Sequence, residues 1–359
     1  MPPKTTQKKR YILGLETSCD ETAAAIIDDN LNIKASVVAS QIDIHKLTQG
    51  VVPEVAARTH TENIMPVVQQ CLEQAGVKPD QFAGIAVTRG PGLITSLLVG
   101  LETAKALSFG WNVPLLGVNH IEGHILSNLI EAGGIKQGRI TFAKSRLPIV
   151  ILTVSGGHTE LFTMRRPGHY TFLGRTRDDA AGEAFDKVAK LLGLPYPGGP
   201  SISKAALKGR ATAYDFPRPM LKSGDYDFSF AGLKTAVLRE VETMSQAKLK
   251  RATPDIAASF QQAVADTLLG KAEFALKEYK AQEFWLVGGV AANQLLRKDA
   301  TRLAKRLNVK LQIPSFEFCT DNAVMIATAG LLRLRRGDQD KQGTLQADPN
   351  LDLIATLPA

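Results

Sequence analysis

Two histidines stand four residues apart in the run His120-Ile121-Glu122-Gly123-His124. On a helix, residues at this spacing lie one turn apart on the same face, so both imidazoles reach one ion. Residues 125–130 continue with the apolar spacing of a helix, which predicts that the pair is helical. Neutral imidazole is a common ligand of zinc, iron and nickel, and two imidazoles leave further coordination positions open. The alternative is one core histidine and one capping histidine, and spacing alone gives both interpretations equal weight.

A zinc protease of the zincin type is the rival interpretation of two closely spaced histidines. The zincin pattern has a glutamate directly after the first histidine, next to the metal-bound water. Here Ile121 holds that position, and Glu122 lies about 200° around the helix from His120. Glu122 therefore cannot act as the general base of a zincin, and the pattern argues against a protease.

The composition is that of an ordinary globular protein. The chain has 359 residues, a length sufficient for two domains and a large core. Of these residues 44% are hydrophobic and 22% are charged. No apolar run reaches the length of a membrane span, and residues 1–10 form a basic, polar tail without a secretory signal. Cys19, Cys71 and Cys319 are odd in number and widely spaced, which predicts a reducing compartment without disulfides. We expect a cytoplasmic protein, with an organelle as the alternative and no membrane association.

The net charge of +8 allows a polyanionic partner. Basic residues gather in four stretches, which are 139–146, 165–177, 204–222 and 297–310. Solvated helix faces explain much of this charge, so the excess favours a nucleic-acid partner only weakly.

Two strand–turn–strand patterns recur along the chain. Residues 11–16 and 23–28 predict strands around a loop that carries Asp20 and Glu21, and residues 148–154 and 159–164 predict strands around a turn with two glycines. Such turns present hydroxyl and backbone N–H groups to a phosphate, although a plain polar hairpin is the commoner interpretation. Two of them, each opening one half of the chain, predict duplicated domains that face each other across a nucleotide-binding cleft.

Strands alternate with helices in the first half, which predicts an α/β fold. The predicted elements are a helix over 59–74 ended by Gly76, a strand over 84–88, a buried helix over 94–109 and a strand over 113–118.

The second half carries further nucleotide-contact patterns. Residues 284–287 predict a strand, and a double glycine and Asn293 separate it from a helix over 294–307, so Asn293 is free to bond a base or sugar. Residues 194–200 are too rich in proline and glycine for regular structure and predict a rigid loop with exposed N–H groups.

Two acidic features have simple alternatives. Asp179, Glu183 and Asp186 are predicted to form a helical stripe that either binds ribose hydroxyls or is solvated. Asp321 precedes a helix predicted over 323–334, where it is either a helix cap or a third metal ligand. Residues 133–147 lack periodicity and are predicted to link the halves.

Seven motifs in this order resemble one known family. They are ETSCDET, HIEGH, TVSGGHTEL, DDAAGEAFDKVAKLLGLPYPGGP, DFSFAGLKT, VGGVAANQLLR and FCTDNAVMIA. The chain resembles the bacterial TsaD family of tRNA threonylcarbamoyladenosine biosynthesis proteins, formerly described as O-sialoglycoprotein endopeptidases. The resemblance covers roughly residues 11 to 336, and the motif over 178–200 is highly specific.

The resemblance implies an α/β, two-lobed actin-like or Hsp70-like ATPase (ASKHA) fold with duplicated ribonuclease H-like subdomains. It implies five segments: a flexible basic tail over 1–10, an N-terminal lobe with the metal-binding helix over 11–147, a C-terminal lobe with adenylate-binding loops over 148–319, a helix returning to the first lobe over 320–336, and a tail over 337–359.

The resemblance also implies the ligands. His120, His124 and Asp321 match the family's metal ligands, for one divalent ion per subunit; we expect iron, with zinc as the alternative, and Mg²⁺ is a further candidate beside the nucleotide. The positions that match the family's adenylate contacts are Thr153, Val154, Ser155, Gly156, Gly157, Asp186, Gly199 and Asn293. Archaeal and eukaryotic relatives carry at position 153 a tyrosine that reaches the metal, so the threonine here indicates a bacterial or organellar site.

The implied reaction transfers a threonylcarbamoyl group from threonylcarbamoyl-AMP to N6 of adenosine 37, just 3′ of the anticodon, in tRNAs that read codons beginning with adenine. AMP leaves. The metal is expected to act as a Lewis acid. The turn over 153–157 and Gly199 would donate backbone hydrogen bonds, Asp186 would bind the ribose, and Asn293 would fix the nucleoside. Glu21, with Asp20, is the candidate for taking the proton of the amine.

The family implies partners as well as tRNA and the adenylate. These are a TsaB-like paralogue without the metal site, a small TsaE-like ATPase, and a separate enzyme that makes the adenylate. An organellar member works without the first two, and a homodimer is a further alternative.

Two other classes of protein compete with this interpretation. A sugar or acetate kinase needs a catalytic aspartate and a DxG turn that Ser155-Gly156-Gly157 lacks, and a non-catalytic scaffold would have lost the histidines.

Overall fold

The computed structural model describes residues 10–130, 146–341 and 343–354, which form two compact units. The first unit takes 10–43, 51–130, 320–341 and 343–354, and the second takes 44–50 and 146–319. Most of the predicted link over 133–147, and the predicted basic tail apart from Arg10, lie outside the described residues.

A five-stranded sheet lies in the first unit. Its strands are β1 (Tyr11–Glu16), β2 (Glu21–Asp28), β3 (Ile33–Ser40), β4 (Phe82–Gly90) and β5 (Leu115–Asn119). Their order is β3-β2-β1-β4-β5; β1, β2 and β3 pair antiparallel, and β4 and β5 continue parallel to β1.

The second unit repeats this topology. Its strands are β6 (Ile149–Val154), β7 (Thr159–Arg166), β8 (His169–Arg175), β9 (Glu283–Val287) and β10 (Lys310–Gln312). In the order β10-β9-β6-β7-β8, the strands β6, β7 and β8 pair antiparallel, while β9 and β10 are parallel to β6. The duplication that the two hairpins predicted is therefore present strand by strand.

Ten α-helices occur among the described residues. They are α1 (Ile42–His45), α2 (Pro53–Ala75), α3 (Ile94–Trp111), α4 (His120–Leu126), α5 (Ala181–Leu191), α6 (Gly198–Ala206), α7 (Ala231–Glu242), α8 (Gln246–Glu278), α9 (Gln294–Leu307) and α10 (Ala323–Arg336). None of the described helices is long and apolar enough to cross a membrane.

Both faces of the first sheet are covered, which explains why β1 is almost wholly apolar. Leu13 and Leu15 join a core cluster with side chains of α2 and α3. Gly14 points to the other face, because successive residues of a strand alternate. A Cβ on Gly14 would lie 2.8 Å from Cβ of Ala327, so only glycine lets α10 approach this closely.

The core of the second unit forms around α5, α8 and the sheet. Phe185 of α5 and Phe260 of α8 are buried and meet edge to face, with ring centroids 5.2 Å apart. This packing fixes α5, whose first turn lies beside the turn between β6 and β7.

Two parts of the chain differ from the prediction. Residues 198–206 form α6, although proline and glycine here predicted a loop. The first four N–H groups of a helix have no partner within the helix, so Pro200 in the first turn loses nothing. Residues beyond Gly337 were predicted as a tail, but Leu345, Leu351 and Leu353 are buried in the first unit, and Asp340 Oδ2 accepts a bond of 2.7 Å from Gly117 N.

Candidate metal centre and nucleotide-binding loops

The helix α4 starts at the residue that follows β5 and carries both histidines. Its cap is Asn119, whose Oδ1 accepts from the N–H groups of Ile121 (2.9 Å) and Glu122 (3.3 Å). His120 is the first helical residue, His124 follows one turn later, and both are buried. Neither histidine is the cap, so the interpretation with a capping histidine does not describe this helix.

Asp321 does not cap the helix that follows it either. Asn322 caps α10 by accepting a 3.1 Å bond from Met325 N. The carboxylate of Asp321 instead places Oδ1 3.0 Å from Nε2 of His124 and 3.5 Å from Nε2 of His120. α10 comes this close to α4 because Gly123 has no side chain: a Cβ there would lie 3.0 Å from Cδ1 of Ile326.

The donor set suits a divalent transition metal. One ligand atom from each of His120, His124 and Asp321 lies within 4.8 Å of the other two. Two imidazoles and one carboxylate with further positions open are a typical set for Fe²⁺ and also suit zinc. These three residues therefore fit the divalent metal ion that the resemblance of the sequence motifs implied.

The electrostatics of this cluster favour a cation. Burial acts to lower the pKa of His120, but the negative charges of Asp321 and Glu16 outweigh it and raise the pKa to about 10. Burial acts to raise the pKa of Asp321, yet His120 and His124 hold it well below its usual range. The buried Glu16 and the half-buried Asp321 thus hold positive charge on the imidazole, and a divalent ion offers that charge in place of the proton.

Glu16 contacts a predicted metal ligand, and sequence reasoning missed this contact. It is fully buried at the end of β1, and its Oε2 lies 3.1 Å from Nδ1 of His120. The other oxygen accepts a bond of 2.6 Å from Ser18 N. The spacing of the chain gives no signal for this contact, because the two residues stand 104 positions apart.

The predicted acid–base pair lies where the loop after β1 meets β2, with Asp20 in the loop and Glu21 as the first residue of β2. Glu21 Oε1 accepts a bond of 2.8 Å from Ser40 Oγ, while Oε2 is buried without a partner. Burial raises the pKa of Glu21 to about 8, with a further contribution from the charge of Asp20. The backbone carbonyl of Asp20 accepts from Gln41 N at 3.1 Å, which ties this loop to the end of β3.

His60 on α2 holds the same loop on both sides of the acidic pair. Its Nε2 lies 2.9 Å from the carbonyl oxygen of Cys19, and its Nδ1 lies 2.8 Å from Oγ1 of Thr22. Because a carbonyl only accepts, Nε2 carries a proton. Sequence reasoning missed His60, since nothing in its helix marks a contact 41 residues away.

In the second unit, the predicted adenylate turn follows β6. Thr153 and Val154 are fully buried at the end of β6, whereas Gly156 and Gly157 are exposed. Ser155 N donates to the carbonyl of His158 at 2.8 Å, which closes the turn.

The turn packs on α5, and α5 packs on the start of α6. Gly182 N donates to Ser155 O at 3.2 Å, and a Cβ on Gly182 would lie 2.5 Å from that oxygen. Asp186 Oδ1 accepts a bond of 2.7 Å from Gly198 N. The structure therefore brings the turn, Asp186 and Gly199 into one region of the unit.

Asn293 lies in the same region but is engaged within the protein. Its Oδ1 caps α9 through Leu296 N at 3.0 Å, and its Nδ2 donates to Ser203 Oγ at 2.9 Å and Gln261 Oε1 at 3.0 Å. It is therefore not the free side chain that the sequence suggested, and it joins α9 to α6 and α8.

At four positions of these loops, neither the backbone conformation nor close packing requires a glycine. Gly156, Gly157, Gly199 and Gly289 have no left-handed φ, and a Cβ on any of them would meet nothing within 4 Å. Gly156 and Gly157 are exposed and Gly199 and Gly289 are half-buried, and open space over such backbone is what close approach of a ligand requires.

The predicted acidic stripe is a set of ion pairs. Asp179 precedes α5 rather than belonging to it, and its carboxylate lies 2.6 Å from Lys187 Nζ and 2.8 Å from Lys234 Nζ. Glu183 lies 2.8 Å from the same Lys187. Asp179 and Glu183 thus have structural partners.

Solved structures show the class of the fold. Component A of the (R)-2-hydroxyglutaryl-CoA dehydratase of Acidaminococcus fermentans matches with a TM-score of 0.53 and 14% identity, over 91% of this chain and 98% of that one. HypF of T. kodakarensis matches with a TM-score of 0.60 and 15% identity, over 96% of this chain and 51% of that one. At these identities the likeness shows the fold alone, and it confirms the predicted α/β fold of the actin-like ATPase class.

The family follows from closer matches. The model of the TsaD family, tRNA N6-adenosine threonylcarbamoyltransferase, matches residues 32–328. A protein of that name from Thermosipho africanus is 48% identical over 342 residues, which is 95% of this chain and 99% of that protein. The chain belongs to the tRNA N6-adenosine threonylcarbamoyltransferase (TsaD) family, as the seven motifs predicted.

Proposed function

We propose that this protein transfers the threonylcarbamoyl group of threonylcarbamoyl-AMP to N6 of adenosine 37 in tRNAs that read codons beginning with adenine. The observation that carries the proposal is 48% identity over nearly the whole length of a relative named for this transfer. In the reaction, N6 bonds to the carbamoyl carbon, the bond from that carbon to the phosphate oxygen breaks, and AMP leaves with the electron pair. N6 loses one proton.

His120, His124 and Asp321 would hold one divalent ion, for which we propose iron with zinc as the alternative. When bound, such an ion supplies Lewis-acid stabilisation of negative charge on substrate oxygens. Glu16 holds Nδ1 of His120, so Nε2 is the nitrogen that faces Asp321. The support is the donor set and its burial.

We assign adenylate binding to the loops of the second unit. The N–H groups of Gly156 and Gly157, and that of Gly199 in the first turn of α6, are suited to phosphate oxygens. Ser155 closes the turn that presents the first two. Thr153 and Val154 are fully buried at the end of β6, and we propose that they contribute by positioning this turn. Asp186 and Asn293 hold the loops together, and we propose that they also contact the ribose and the nucleoside.

Glu21 is our candidate for the acceptor of the N6 proton. A carboxylate whose pKa lies near the working pH is well matched to proton transfer, and burial gives Glu21 a pKa of about 8. Its Oε2 has no partner in the described structure, so one oxygen is available for a proton. Asp20 assists through its neighbouring charge.

Partners, location and segment boundaries belong to the same proposal. We propose a TsaB-like paralogue and a TsaE-like ATPase as protein partners, with a homodimer as the alternative. We further propose that Mg²⁺ binds beside a nucleotide and that the protein is located in the cytoplasm. The boundaries after residues 10, 147, 319 and 336 also remain predictions.

A transfer assay tests the reaction. Purified protein, enzymatically made threonylcarbamoyl-AMP and unmodified tRNA are combined with and without the helper proteins, and nucleosides are read by mass spectrometry. A His120→Ala/His124→Ala variant runs beside His169→Ala, which removes an exposed histidine of the second unit. We expect product from the wild type and His169→Ala only. Product from all three removes the metal role, and no product from the wild type with helpers removes the proposed function.

A further inference from the structure

One edge of the sheet in the second unit collects cations from separate stretches of the chain. β6, β9 and β10 begin at this edge and β7 ends there, because β6 pairs parallel with β9 and antiparallel with β7. We call it the basic edge, and its members are Arg146, Arg165, Arg166, Lys280 and Lys310. The turn at Gly156 and Gly157 follows the other end of β6, about 20 Å away along a strand of this length.

A polar cavity of about 510 Å³ opens among these residues. Its lining includes Arg146, Lys280, Gln282, Asn308 and Lys310. α8 and α9 both end here, and Lys280 and Asn308 take left-handed φ values of 50° and 54° as the chain turns back into β9 and β10.

Part of the positive charge has a structural explanation. Helix C-termini attract cations, and Lys277 and Arg306 in the last turns of α8 and α9 already pair with Glu273 at 2.6 and 2.5 Å. Lys310 Nζ lies 3.3 Å from Glu283, a buried carboxylate.

Four cations of the basic edge remain after these pairs are set aside, and one of them, Arg165, packs on an aromatic ring. In the described part of the chain, no carboxylate lies within ion-pair distance of the side chains of Arg146, Arg166 or Lys280, and all three are exposed. The guanidinium carbon of Arg165 lies 5.5 Å from the centroid of the Tyr279 ring. Unpaired cations on one edge produce a local positive potential that attracts a polyanion.

The spacing of these cations fits a nucleic-acid backbone. Neighbouring strands lie about 4.8 Å apart, so Arg166 on β7 and Lys310 on β10, three strands away, are separated by about 14 Å. That distance covers several phosphates of a strand, and phosphate contacts position a nucleic acid without reading its sequence.

We infer that the basic edge docks the phosphate backbone of tRNA, at the opposite end of the strands from the adenylate loops. The inference rests on the proposed function and adds to it a second, non-reacting contact with the same substrate. It also explains why three of the four basic stretches of the sequence contribute to one edge.

Matched triple variants test the inference. Arg146→Gln/Arg166→Gln/Lys280→Gln removes the three unpaired cations that have no ring contact, and Lys208→Gln/Lys222→Gln/Lys250→Gln removes equal charge from exposed lysines elsewhere in the unit. The dissociation constant of unmodified tRNA is measured by filter binding over a series of salt concentrations. We expect the first triple to bind about tenfold more weakly, with a salt slope smaller by about 2, and the control to bind like the wild type. Equal weakening by both triples, or by neither, overturns the inference.

Transfer kinetics separate this inference from the proposed function. With the first triple we expect a raised KM for tRNA and an unchanged kcat at saturating tRNA. A wild type that binds tRNA about tenfold more tightly than the first triple but makes no modified adenosine overturns only the proposed function. An unchanged KM in the triple, with active wild type, overturns only the basic edge.

Discussion

Oε2 of Glu16 lies 3.1 Å from Nδ1 of His120, and both side chains are buried in the first unit. A carboxylate on one imidazole nitrogen fixes the ring and raises the basicity of the other nitrogen. Here that other nitrogen is the one 3.5 Å from Asp321. Glu16, the last residue of β1, thus orients His120 so that Nε2 is the nitrogen available to an ion.

Glu16→Gln should weaken metal binding without removing a ligand. The amide has one acceptor oxygen, whereas Ser18 N and His120 use both oxygens of Glu16. We expect the affinity for Zn²⁺ or Fe²⁺ to fall by about 10- to 100-fold. Competition with a chelator of known affinity measures it.

Glu122→Gln is the matched control for that experiment. Glu122 is also buried, but the charges that act on it come from Arg336 and Arg333 instead of the histidines. Its metal affinity should equal that of the wild type, and equal affinity in all three proteins would contradict the role of Glu16.

Two adjacent glycines at the start of α6 should respond differently to alanine. A Cβ at Gly198 would lie 2.5 Å from Cα of Asp186, so Gly198→Ala should destabilise the fold by about 1–3 kcal/mol. A Cβ at Gly199 would meet nothing within 4 Å, so Gly199→Ala should leave the free energy of unfolding within about 0.5 kcal/mol.

The affinity for AMP should fall in Gly199→Ala, the variant that we expect to keep its stability. The methyl group of Gly199→Ala would occupy the space that we assign to the phosphate, and we expect AMP to bind at least about tenfold more weakly. Urea unfolding and calorimetric titration with AMP give the two quantities. AMP binding at wild-type strength in stable Gly199→Ala would exclude this backbone as a phosphate contact.

The sequence predicted those parts of the molecule that depend on local pattern. The apolar runs of β1 and β6, and the glycines that follow β6, gave the duplicated hairpins because strand periodicity is visible within a few residues. The spacing of His120 and His124 gave the pair for the same reason.

The remaining features depend on residues far apart in the sequence. Glu16 and His60 look like ordinary strand and helix residues until partners 104 and 41 positions away are known. Leu345 is an isolated apolar residue in a polar segment, and its burial depends on Gly117, where a Cβ would lie 2.9 Å from its Cδ1. No local pattern contains that information.

His60→Ala should lower the rate of transfer more than it lowers substrate affinity. The substitution removes both contacts of His60 with the chain around Asp20 and Glu21, so we expect kcat to fall more than about tenfold with KM for tRNA unchanged. His60→Gln keeps a donor for Cys19 O and should recover part of kcat. Parallel losses of kcat and folding stability in both variants would instead indicate a purely structural histidine.

Glu21 should make folding stability depend on pH in a defined direction. Its pKa is about 8 in the folded protein against an ordinary value of 4.5, so between these values the folded state binds more protons than the unfolded state. The free energy of unfolding therefore loses this contribution as pH rises through about 8. The stabilisation is fully present only below the unfolded pKa.

Glu21→Gln tests that direction because glutamine is neutral at every pH and still accepts from Ser40. The free energy of unfolding of the wild type minus that of the variant should fall between about pH 5 and 9, as measured by urea unfolding. Glu62→Gln, at an exposed glutamate of α2, should run parallel to the wild type. The rate of transfer should rise through the same pH range in the wild type, since only ionised Glu21 takes the N6 proton. A wild type and Glu21→Gln with parallel stability curves would show that the carboxyl is ionised in the folded protein, and would remove the reason for choosing it as the base.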